Sequence, residues 1–400
     1  MKITGIRLDR HTIEFKPKYP WEERSVGPLD IYDDYNRDQR NKKYPTASEY
    51  KDGMQSGIFL TVTTDEGLEG SCGPIENRHT LLTAADGLAG HLIGRDPLDT
   101  RLLWDVMSRF DRHSRSGIAM MAISAVDIAL WDLKGKILGQ PVYKLLGGGR
   151  ARIRPYMSAL GFSLEPKAVH ERALWIRDDL HVGAQKWFFR HGPADGTKGM
   201  RKNLEMAFLL RETLGEDYEL MFDCSMGWTI SYAKAMFREL EQVHPTWVEE
   251  VLRSHMLDGF RALRDDTSIP LSAGEHIYTR MEVNAYLQEN IFAVMQSDPV
   301  WCGGITEALK IADLCEMYGT TFIPHGHSLM PAMHVVASMP PDICPYCEYL
   351  LNIMDRKNAF FKYNRLGTDG WFTINDTPGL GEELDFERIV KSETVTGFSF

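Results

Sequence analysis

The strongest constraint in this sequence is a repeat of short apolar segments between about residue 152 and residue 350. Polar residues stand at the carboxyl ends of six consecutive segments, namely Asp223, Glu249, Glu275, Asp298, His325 and Glu348. Their separations of 26, 26, 23, 27 and 23 residues each fit one strand, one helix and two short loops. The pattern predicts eight parallel strands in an α/β barrel, with functional groups gathered at the strand carboxyl ends. The predicted strands lie near residues 153–159, 185–190, 219–223, 246–249, 270–274, 292–297, 320–324 and 346–350.

The 400 residues exceed a barrel of about 250 residues, so the chain has room for a second unit. Residues 1–15 alternate apolar and polar side chains, and Gly57 to Cys72 has a strand–turn–strand pattern. Residues 77–140 are mostly helical in pattern, and one helix that stops at Gly139 is expected to bury an apolar face. That face consists of Ile123, Val126, Leu130, Leu133 and Ile137. The charged, Pro- and Tyr-rich stretch 16–51 is predicted to be a long loop that acts as a lid.

Charge and composition narrow the possible partners and the cellular location. The formal net charge is −11, a field that repels phosphate backbones, so nucleic acid is not expected as a partner. No stretch of 18 apolar residues is present, and the first ten residues lack the apolar run of a signal peptide. Six cysteines in 400 residues are too few for a disulfide framework. These features together predict a cytoplasmic protein without a membrane partner.

Asp223, Glu249 and Glu275 would converge at one rim of the barrel, because they end three consecutive predicted strands. Three carboxylates cannot all remain ionised there without a cation, and their hard oxygen atoms suit Mg²⁺. We therefore expect one Mg²⁺ per site, held by these residues. Lys186, which is predicted to end the second strand, would offset part of the charge that an arriving substrate carboxylate adds.

Asp298 and His325 follow neighbouring predicted strands and are candidates for a catalytic pair. A carboxylate bonded to one ring nitrogen fixes the imidazole tautomer and raises its basicity, which prepares a general base. His276 and His327 lie close by in sequence. The pair Gly303-Gly304 permits an unusual turn or a close backbone approach but is weak evidence alone.

The sequence resembles the enolase superfamily, mandelate racemase group, over essentially its whole length. The resemblance rests on Phe222-Asp223-Cys224, Trp247-Val248-Glu249-Glu250, Ser272-Ala273-Gly274-Glu275-His276, Gln296-Ser297-Asp298, Trp301-Cys302-Gly303-Gly304, Pro324-His325-Gly326, Glu348, the linking helix that begins at Asp127 and the Gly139-Gln140-Pro141 segment. It implies an α+β capping domain over residues 1–145, a modified (β/α) TIM barrel over residues 146–352 and a segment, 353–400, that returns to the capping domain. It also implies a homo-oligomer.

Within that group the motifs look most like the L-rhamnonate dehydratase branch, which converts aldonic acids into 2-keto-3-deoxy acids. The resemblance implies a Mg²⁺-dependent hydro-lyase that acts on a sugar acid such as L-rhamnonate or L-lyxonate. The metal ligands would be Asp223, Glu249 and Glu275. His325, Asp298 and Lys186 would be catalytic, and a protonated Glu348 would face the substrate carboxylate. Further substrate contacts would come from His276, Arg190, His191, His327 and Trp21, with Asp30 and Tyr32 in the lid.

Three other functions remain open from the sequence. A racemase or epimerase would need a second base, which in this group is often the second lysine of a Lys-x-Lys pattern. Here that position is Phe188, which favours elimination by one base. A cycloisomerase on the same scaffold and a catalytically inactive homologue that binds sugar acids are the other two alternatives.

Overall fold

A computed structural model describes residues 1–32, 49–363 and 365–395 of the chain. The predicted lid, residues 16–51, is described only at its two ends, and residues 33–48 lie outside the described residues. In the described residues, no helix combines the length and the apolar character that crossing a lipid bilayer requires.

The described residues form fourteen strands and thirteen α-helices. The strands are β1 Ile3–Glu14, β2 Glu49–Lys51, β3 Met54–Thr64, β4 Glu69–Ile75, β5 Arg152–Ser158, β6 Ala184–Phe188, β7 Glu219–Asp223, β8 Trp247–Glu249, β9 Leu271–Ala273, β10 Val294–Met295, β11 Thr321–Phe322, β12 Tyr346–Leu350, β13 Phe372–Thr373 and β14 Ile389–Thr394. The helices are α1 Arg78–Leu82, α2 Ala89–Leu92, α3 Thr100–Phe110, α4 Gly117–Leu138, α5 Val142–Leu145, α6 Pro166–Leu174, α7 Gly196–Leu214, α8 Ile230–Leu240, α9 Leu257–Arg264, α10 Thr279–Gln288, α11 Gly304–Tyr318, α12 Leu329–Ser338 and α13 Leu351–Asn358.

The first sheet is antiparallel and joins the two ends of the chain. Its strand order is β14-β1-β3-β2, and β4 pairs with the other part of β3. The C-terminal strand β14 lies beside β1, with Asp9 opposite Thr394 and Thr12 opposite Lys391. The last strand of the tail therefore packs on the N-terminal sheet, whereas β13, earlier in the tail, pairs with β5 of the barrel.

The second sheet contains the eight predicted parallel strands, β5 to β12, each next to its neighbour in the sequence, and β12 also pairs with β5. The backbone N–H of Phe322 in β11 donates to the carbonyl of Ile343, which lies just before β12, so the sheet curls round on itself. Helices α6 to α12 connect the strands in turn. The predicted (β/α) barrel with a separate α+β unit is confirmed.

Three of the barrel strands are shorter than the sequence pattern predicts, because the backbone turns early at their carboxyl ends. At Gly274, directly after β9, φ is +147°, and a Cβ atom there would lie 2.5 Å from the backbone nitrogen of Gln296. Glu275, Asp298 and His325 consequently lie two or three residues beyond β9, β10 and β11. These side chains belong to the loops at the rim and not to the strands.

Helix α4 links the two units, and its predicted apolar face is buried together with almost all of its other sides. Its sequence is apolar nearly all round, and it packs between β4 and α11. On the barrel side, the Asp127 carboxylate accepts hydrogen bonds from the backbone N–H and the hydroxyl of Thr306, at 2.9 and 2.6 Å. The helix ends at Gly139, whose φ of +63° is the left-handed conformation that glycine adopts without strain. A helix that is apolar all round is typical of a buried core element.

Candidate active site

The three predicted metal-binding carboxylates come from adjacent barrel strands. Asp223 ends β7, Glu249 ends β8, and the two residues are direct partners in the register of these strands. Glu275 follows β9 by two residues. Asp223 and Glu249 are buried, and the Glu275 side chain is only 13% exposed. The register of the sheet thus places all three carboxylates on one part of the rim.

Lys186 lies in the middle of β6, not at its end as the sequence pattern suggested. Its Nζ atom is 2.5 Å from Glu249 Oε1, 2.8 Å from Glu348 Oε1 and 3.9 Å from Asp223 Oδ2. Burial lowers the pKa of Lys186, but Glu249 and Glu348 outweigh burial and hold the pKa well above its ordinary value. The lysine is therefore a fixed, buried positive charge among the carboxylates.

The site contains more buried negative charge than its own cations balance. Burial raises the pKa of Asp223 to about 6 and the pKa of Glu275 to about 8, and nearby carboxylates add to both shifts. Six carboxyl groups lie in two neighbouring sets of ion pairs: Asp223, Glu249 and Glu348 surround Lys186, while Glu250, Glu275 and Asp298 pair with His276 and His325. A divalent cation would relieve this excess, and oxygen donors of this kind suit Mg²⁺. The residues present therefore fit a bound Mg²⁺.

Glu250 belongs to the second of these sets although the sequence analysis did not single it out. Its Oε1 atom is 2.8 Å from His276 Nδ1, and the only group of three potential ligands within 4.8 Å of one another in the described residues is Glu250, Glu275 and His276. Asp223 and Glu249 lie outside this group. Asp223 accepts a hydrogen bond from the Ser225 N–H, and Glu249 accepts one from Lys186 Nζ. The sequence could have indicated Glu250 through the Glu249-Glu250 doublet, because Glu250 directly follows the site residue that ends β8.

His276 lies beside two of the carboxylates. Burial lowers its pKa, but the Glu250 hydrogen bond and the charges of Glu250 and Glu275 outweigh burial and raise the pKa to about 9. Without a bound cation the ring therefore carries a proton and forms ion pairs with Glu250 and Glu275. A metal ion could bind this ring only in exchange for that proton.

His325 and Asp298 form a buried pair, as their neighbouring strands predicted. His325 Nδ1 is 2.7 Å from Asp298 Oδ2, and Asp298 also accepts hydrogen bonds from the backbone N–H groups of Val300 and His327. His325 Nε2 lies 3.1 Å from Glu275 Oε2. Burial lowers the pKa of His325, but Glu275 and Asp298 raise it to about 10. With its Nδ1–H bonded to Asp298, the ring directs Nε2 towards the carboxylate cluster.

The indole of Trp301 contacts three histidine rings, one of which is His325 of the buried pair. Its ring centre lies 5.0 Å from that of His325, 4.9 Å from that of His327 and 5.7 Å from that of His276. His327 Nε2 is 3.2 Å from the Glu76 carboxylate, and Lys357 Nζ lies 2.9 Å from His327 Nδ1. Glu76 and Lys357 were missed because they are far from His327 in the sequence.

Glu348 is the middle residue of β12, and its surroundings favour the ionised form. Its Oε2 atom accepts a hydrogen bond from the Gly326 N–H at 2.9 Å, while Oε1 faces Lys186. Burial raises the pKa of Glu348, but Lys186 and His325 outweigh burial and hold it below its ordinary value. The protonated Glu348 expected from the resemblance is therefore not what these contacts support.

Arg190, His191 and Trp21 lie apart from the two ion-paired sets. Arg190 Nε donates to Glu23 Oε1 at 2.7 Å, and the His191 N–H donates to Asn203 Oδ1 at 3.2 Å. These two residues line a separate pocket. Trp21 is 44% exposed and covers Gly161, where a Cβ atom would lie 2.6 Å from the indole.

The two predicted lid residues inside the described part of the chain differ in burial. Asp30 is buried and accepts two hydrogen bonds, each of 2.9 Å, from the Arg24 guanidinium. Tyr32 is exposed. Asp30 is therefore engaged within its own segment, which differs from the expected contact with substrate hydroxyls.

The position of a second strand-two base is apolar. Phe188 ends β6, is fully buried and lies opposite Asp223 in the register of β6 and β7. A phenyl ring cannot accept a proton, so β6 supplies Lys186 but no second base at this position.

Two family models match most of the chain. The model described as "Mandelate racemase / muconate lactonizing enzyme, N-terminal domain" matches residues 38–147. The model described as "Enolase C-terminal domain-like" matches residues 176–389.

Curated relatives about one-third identical to this chain are named sugar-acid dehydratases. Arabinonate dehydratase from Saccharolobus solfataricus is 32% identical over 70% of this chain and 74% of its own length. Putative L-rhamnonate dehydratase from Caldivirga maquilingensis is 34% identical over 76% and 75%, respectively. D-galactonate dehydratase from Variovorax paradoxus is 31% identical over 83% and 90%. The three names specify three different sugar acids.

Solved structures with the same fold cover nearly all of the chain. Rhamnonate dehydratase from Gibberella zeae complexed with Mg has a TM-score of 0.82 and 26% identity, and the match covers 97% of this chain and 95% of that one. The 3,6-anhydro-D-galactonate cycloisomerase from Zobellia galactanivorans has a TM-score of 0.77 and 26% identity, with coverage of 98% and 100%. The same scaffold thus occurs in proteins named for different reactions.

Proposed function

The chain belongs to the enolase superfamily, in its mandelate racemase / muconate lactonizing enzyme group, and from this premise we propose that it is a Mg²⁺-dependent sugar-acid dehydratase. The reaction would remove water from C2 and C3 of an aldonic acid to give a 2-keto-3-deoxy acid. The names of the curated relatives support dehydration of a sugar acid and leave the particular acid open.

The observation that carries the proposal is the His325–Asp298 pair beside the carboxylate cluster. The pair leaves the His325 Nε2 atom facing Glu275 at 3.1 Å. If the carboxylate cluster held a cation, a substrate carboxylate bound to that cation would bring its neighbouring carbon to this side of His325. A single oriented imidazole is sufficient for elimination, whereas racemisation requires a second base on the opposite face. Phe188 at the end of β6 provides no such base.

Asp223, Glu249 and Glu275 would hold Mg²⁺, and this ion would supply a Lewis acid for the substrate carboxylate. The chain's own residues account for the remaining chemistry. A cation held by the carboxylates would neutralise the Glu275 charge that raises the pKa of His325, so that the neutral ring could accept the proton from C2 at Nε2, and Asp298 stabilises the imidazolium that results. Lys186 remains cationic at neutral pH and stabilises the negative charge that develops on the substrate carboxylate.

Departure of the 3-hydroxyl completes the elimination. The C3–O bond breaks, and the His325 imidazolium returns a proton to the leaving oxygen, so that water departs and the histidine is neutral again. The enol that remains takes a proton from solvent at C3 and releases the proton of its C2 hydroxyl to solvent, which gives the 2-keto-3-deoxy acid. Trp301 stacks on the His325 ring and holds the ring in place through these steps.

The proposal is tested by incubating the protein with aldonic and aldaric acids, L-rhamnonate and L-lyxonate included, in Mg²⁺ or in EDTA. Formation of keto acid is followed by the absorbance of its semicarbazone. We expect product only with Mg²⁺ and only from acids that share one configuration at C2 and C3. Deuterium at C2 of recovered acid in D₂O, with inversion and without keto acid, would instead identify a racemase. No product from any acid and no effect of EDTA would contradict the proposal.

A further inference from the structure

The loop of residues 298–303 leads into helix α11 and carries the acidic partner of His325. The Asp298 carboxylate accepts a hydrogen bond from the Val300 N–H at 2.8 Å, and the Asp298 carbonyl accepts one from the Trp301 N–H at 2.9 Å. Asp298 and Trp301 therefore belong to one hydrogen-bonded turn, and both of them contact the His325 ring. Whatever fixes this turn also fixes two of the groups that surround the imidazole.

Gly303, at the end of the 298–303 loop, is held by side chains of α3 and α4, which lie outside the barrel. Its N–H donates to Ser124 Oγ on α4 at 2.9 Å, and its carbonyl accepts from Trp104 Nε1 on α3 at 2.6 Å. Both side chains are buried. The Ser124 hydroxyl itself donates to the Met120 carbonyl at 2.9 Å, so its oxygen is left to accept from Gly303. Both backbone polar groups of Gly303 thus have side-chain partners from helices outside the barrel.

The close approach of the loop to α4 explains the pair Gly303-Gly304. The backbone φ is +125° at Gly303 and +83° at Gly304, conformations that residues with a Cβ atom rarely adopt. A Cβ atom on Gly304 would lie 2.3 Å from the Asp127 carboxylate of α4, and one on Gly303 would lie 2.8 Å from Glu307 Cβ. The two glycines therefore allow the contact through which α3 and α4 reach the loop.

We propose that Ser124 and Trp104 are positioning residues for the catalytic pair and hold it through the turn at Gly303. The inference rests on the proposed function, because it assigns these residues to the orientation of the base. Ser124 and Trp104 fix the end of the loop, and the loop fixes Asp298 and Trp301 against the His325 ring. The proposed metal ligands on β7 and β8 belong to other strands, so the effect falls on proton transfer and not on metal binding.

Two substitutions each remove one of these hydrogen bonds, and either suffices if the other variant does not fold. Ser124→Ala removes the acceptor of the Gly303 N–H, and Trp104→Phe removes the indole N–H while keeping an aromatic ring. The assay measures kcat and KM with the acid that the panel identifies, and the isotope effect on kcat/KM with the same acid deuterated at C2. We expect kcat to fall roughly tenfold at an unchanged KM, since small displacements of a catalytic group cost up to about 10²-fold. The isotope effect should rise, because proton transfer becomes slower relative to the other steps.

Asp132→Asn is the matched control, because Asp132 is also a buried polar residue of α4. Its carboxylate accepts hydrogen bonds from the N–H groups of Ser71 and Leu380, each at 2.9 Å, and these residues lie outside the 298–303 loop. All three variants disturb buried hydrogen bonds and should lower the thermal midpoint. Only Ser124→Ala and Trp104→Phe should change kcat and the isotope effect.

A measurement without substrate separates this inference from the dehydratase. The proton between His325 Nδ1 and Asp298 should give a low-field proton resonance, identified by its loss in His325→Asn. We expect Ser124→Ala and Trp104→Phe to shift or broaden this resonance and Asp132→Asn to leave it unchanged. An unchanged resonance in both loop variants, or a loss of kcat no larger than that of Asp132→Asn, would overturn the inference. Failure of every acid to give keto acid would contradict the dehydratase, while a shifted resonance would still support the role of Ser124 and Trp104.

Discussion

Near the amino-terminal end of the parallel strands the barrel interior is apolar, whereas two residues further along the same strands it is charged. Side chains two residues apart on a strand point to the same face of the sheet, so both layers face the interior. The apolar layer forms a separate cluster at the centre of the barrel. The pairs of apolar and charged residues are Ala184 and Lys186, Met221 and Asp223, Trp247 and Glu249, and Tyr346 and Glu348.

Burial does not distinguish the two layers, since Met221 is 0% exposed and Glu249 is 1% exposed. They differ in what burial does to the free energy of folding. The apolar layer is stabilised by removal from water, whereas burial of a charge destabilises the fold unless partners compensate. The charged layer has too few cations to compensate its carboxylates, which is typical of a site built for ligands and not for stability. Changes in the charged layer should therefore affect chemistry, and changes in the apolar layer should affect stability.

The largest effect is expected from His325→Asn. Loss of the only oriented imidazole at the reacting carbon should lower kcat by at least about 10³-fold, since general-base catalysis contributes roughly 10²–10⁴-fold. Mg²⁺ affinity and the thermal midpoint should stay close to those of the unaltered protein. The assay is semicarbazone formation with the acid that the panel identifies, and His113→Asn, at an exposed position, is the matched control. An active His325→Asn protein would exclude His325 as the base.

The second prediction distinguishes two possible sets of metal ligands, one that contains Asp223 and one that contains Glu250. Asp223→Asn should weaken Mg²⁺ binding by at least about 100-fold, because even residues that only orient metal ligands contribute roughly 10–100-fold. Glu250→Gln should weaken binding less than about tenfold if Glu250 mainly holds His276. Titration calorimetry with Mg²⁺ measures both affinities, and circular dichroism checks the fold. The reverse order of effects would assign the metal to Glu250, Glu275 and His276.

Met221→Ala examines the apolar layer. Truncation of this fully buried side chain should destabilise the protein by about 3 kcal/mol, within the range for large-to-small changes in a core, and leave kcat/KM within about twofold. Urea unfolding measures the stability change. The matched control is Met317→Ala on the surface, where an effect within about 0.5 kcal/mol is expected. A large loss of kcat/KM in Met221→Ala at unchanged stability would show that the two layers are not separable.

The barrel could be predicted from the sequence because its signal is periodic. Each strand–helix unit takes a similar length of chain, so one pattern located eight strands and aligned the ends of β7 and β8. Adjacent strands then brought Asp223 beside Glu249, and His325 beside Asp298, without any further information. The same pattern misplaced Lys186 and Glu348, which lie inside their strands. Their long side chains reach the cluster from positions inside the strands, and side-chain reach is not visible in spacing.

The contacts that cross between the two units could not be predicted in this way. Glu76 follows a strand of the antiparallel sheet, His327 follows β11, and Lys357 lies on α13, so no shared period relates them. Helix α4 shows a related limit. Its apolar residues at spacings of three and four correctly predict a buried face, but the burial of its other faces by β4 and α11 is visible only in the tertiary structure.

An effect on stability that appears only at acid pH is expected at His334, a buried titratable group with partners on both ring nitrogens. Nδ1 accepts a hydrogen bond from the Tyr143 N–H at 2.9 Å, and Nε2 lies 3.1 Å from the carbonyl of Leu380. Burial lowers the pKa of His334 from 6.5 to about 4, so between these values the unfolded chain binds more protons than the folded protein. The contribution of His334 to stability should therefore be complete above pH 6.5 and decline by up to about 3 kcal/mol as the pH falls towards 4.

Unfolding of the unaltered protein and of His334→Gln, which keeps one acceptor and one donor, should be compared from pH 8 to pH 4.5. The difference between the two stabilities should shrink as the pH falls, because glutamine does not titrate, and curves that stay parallel would contradict the assignment. If substitution of this buried, hydrogen-bonded and neutral histidine affects stability alone, burial by itself does not explain the rim of the barrel. The rim would then differ from His334 in its excess of carboxylates over cations.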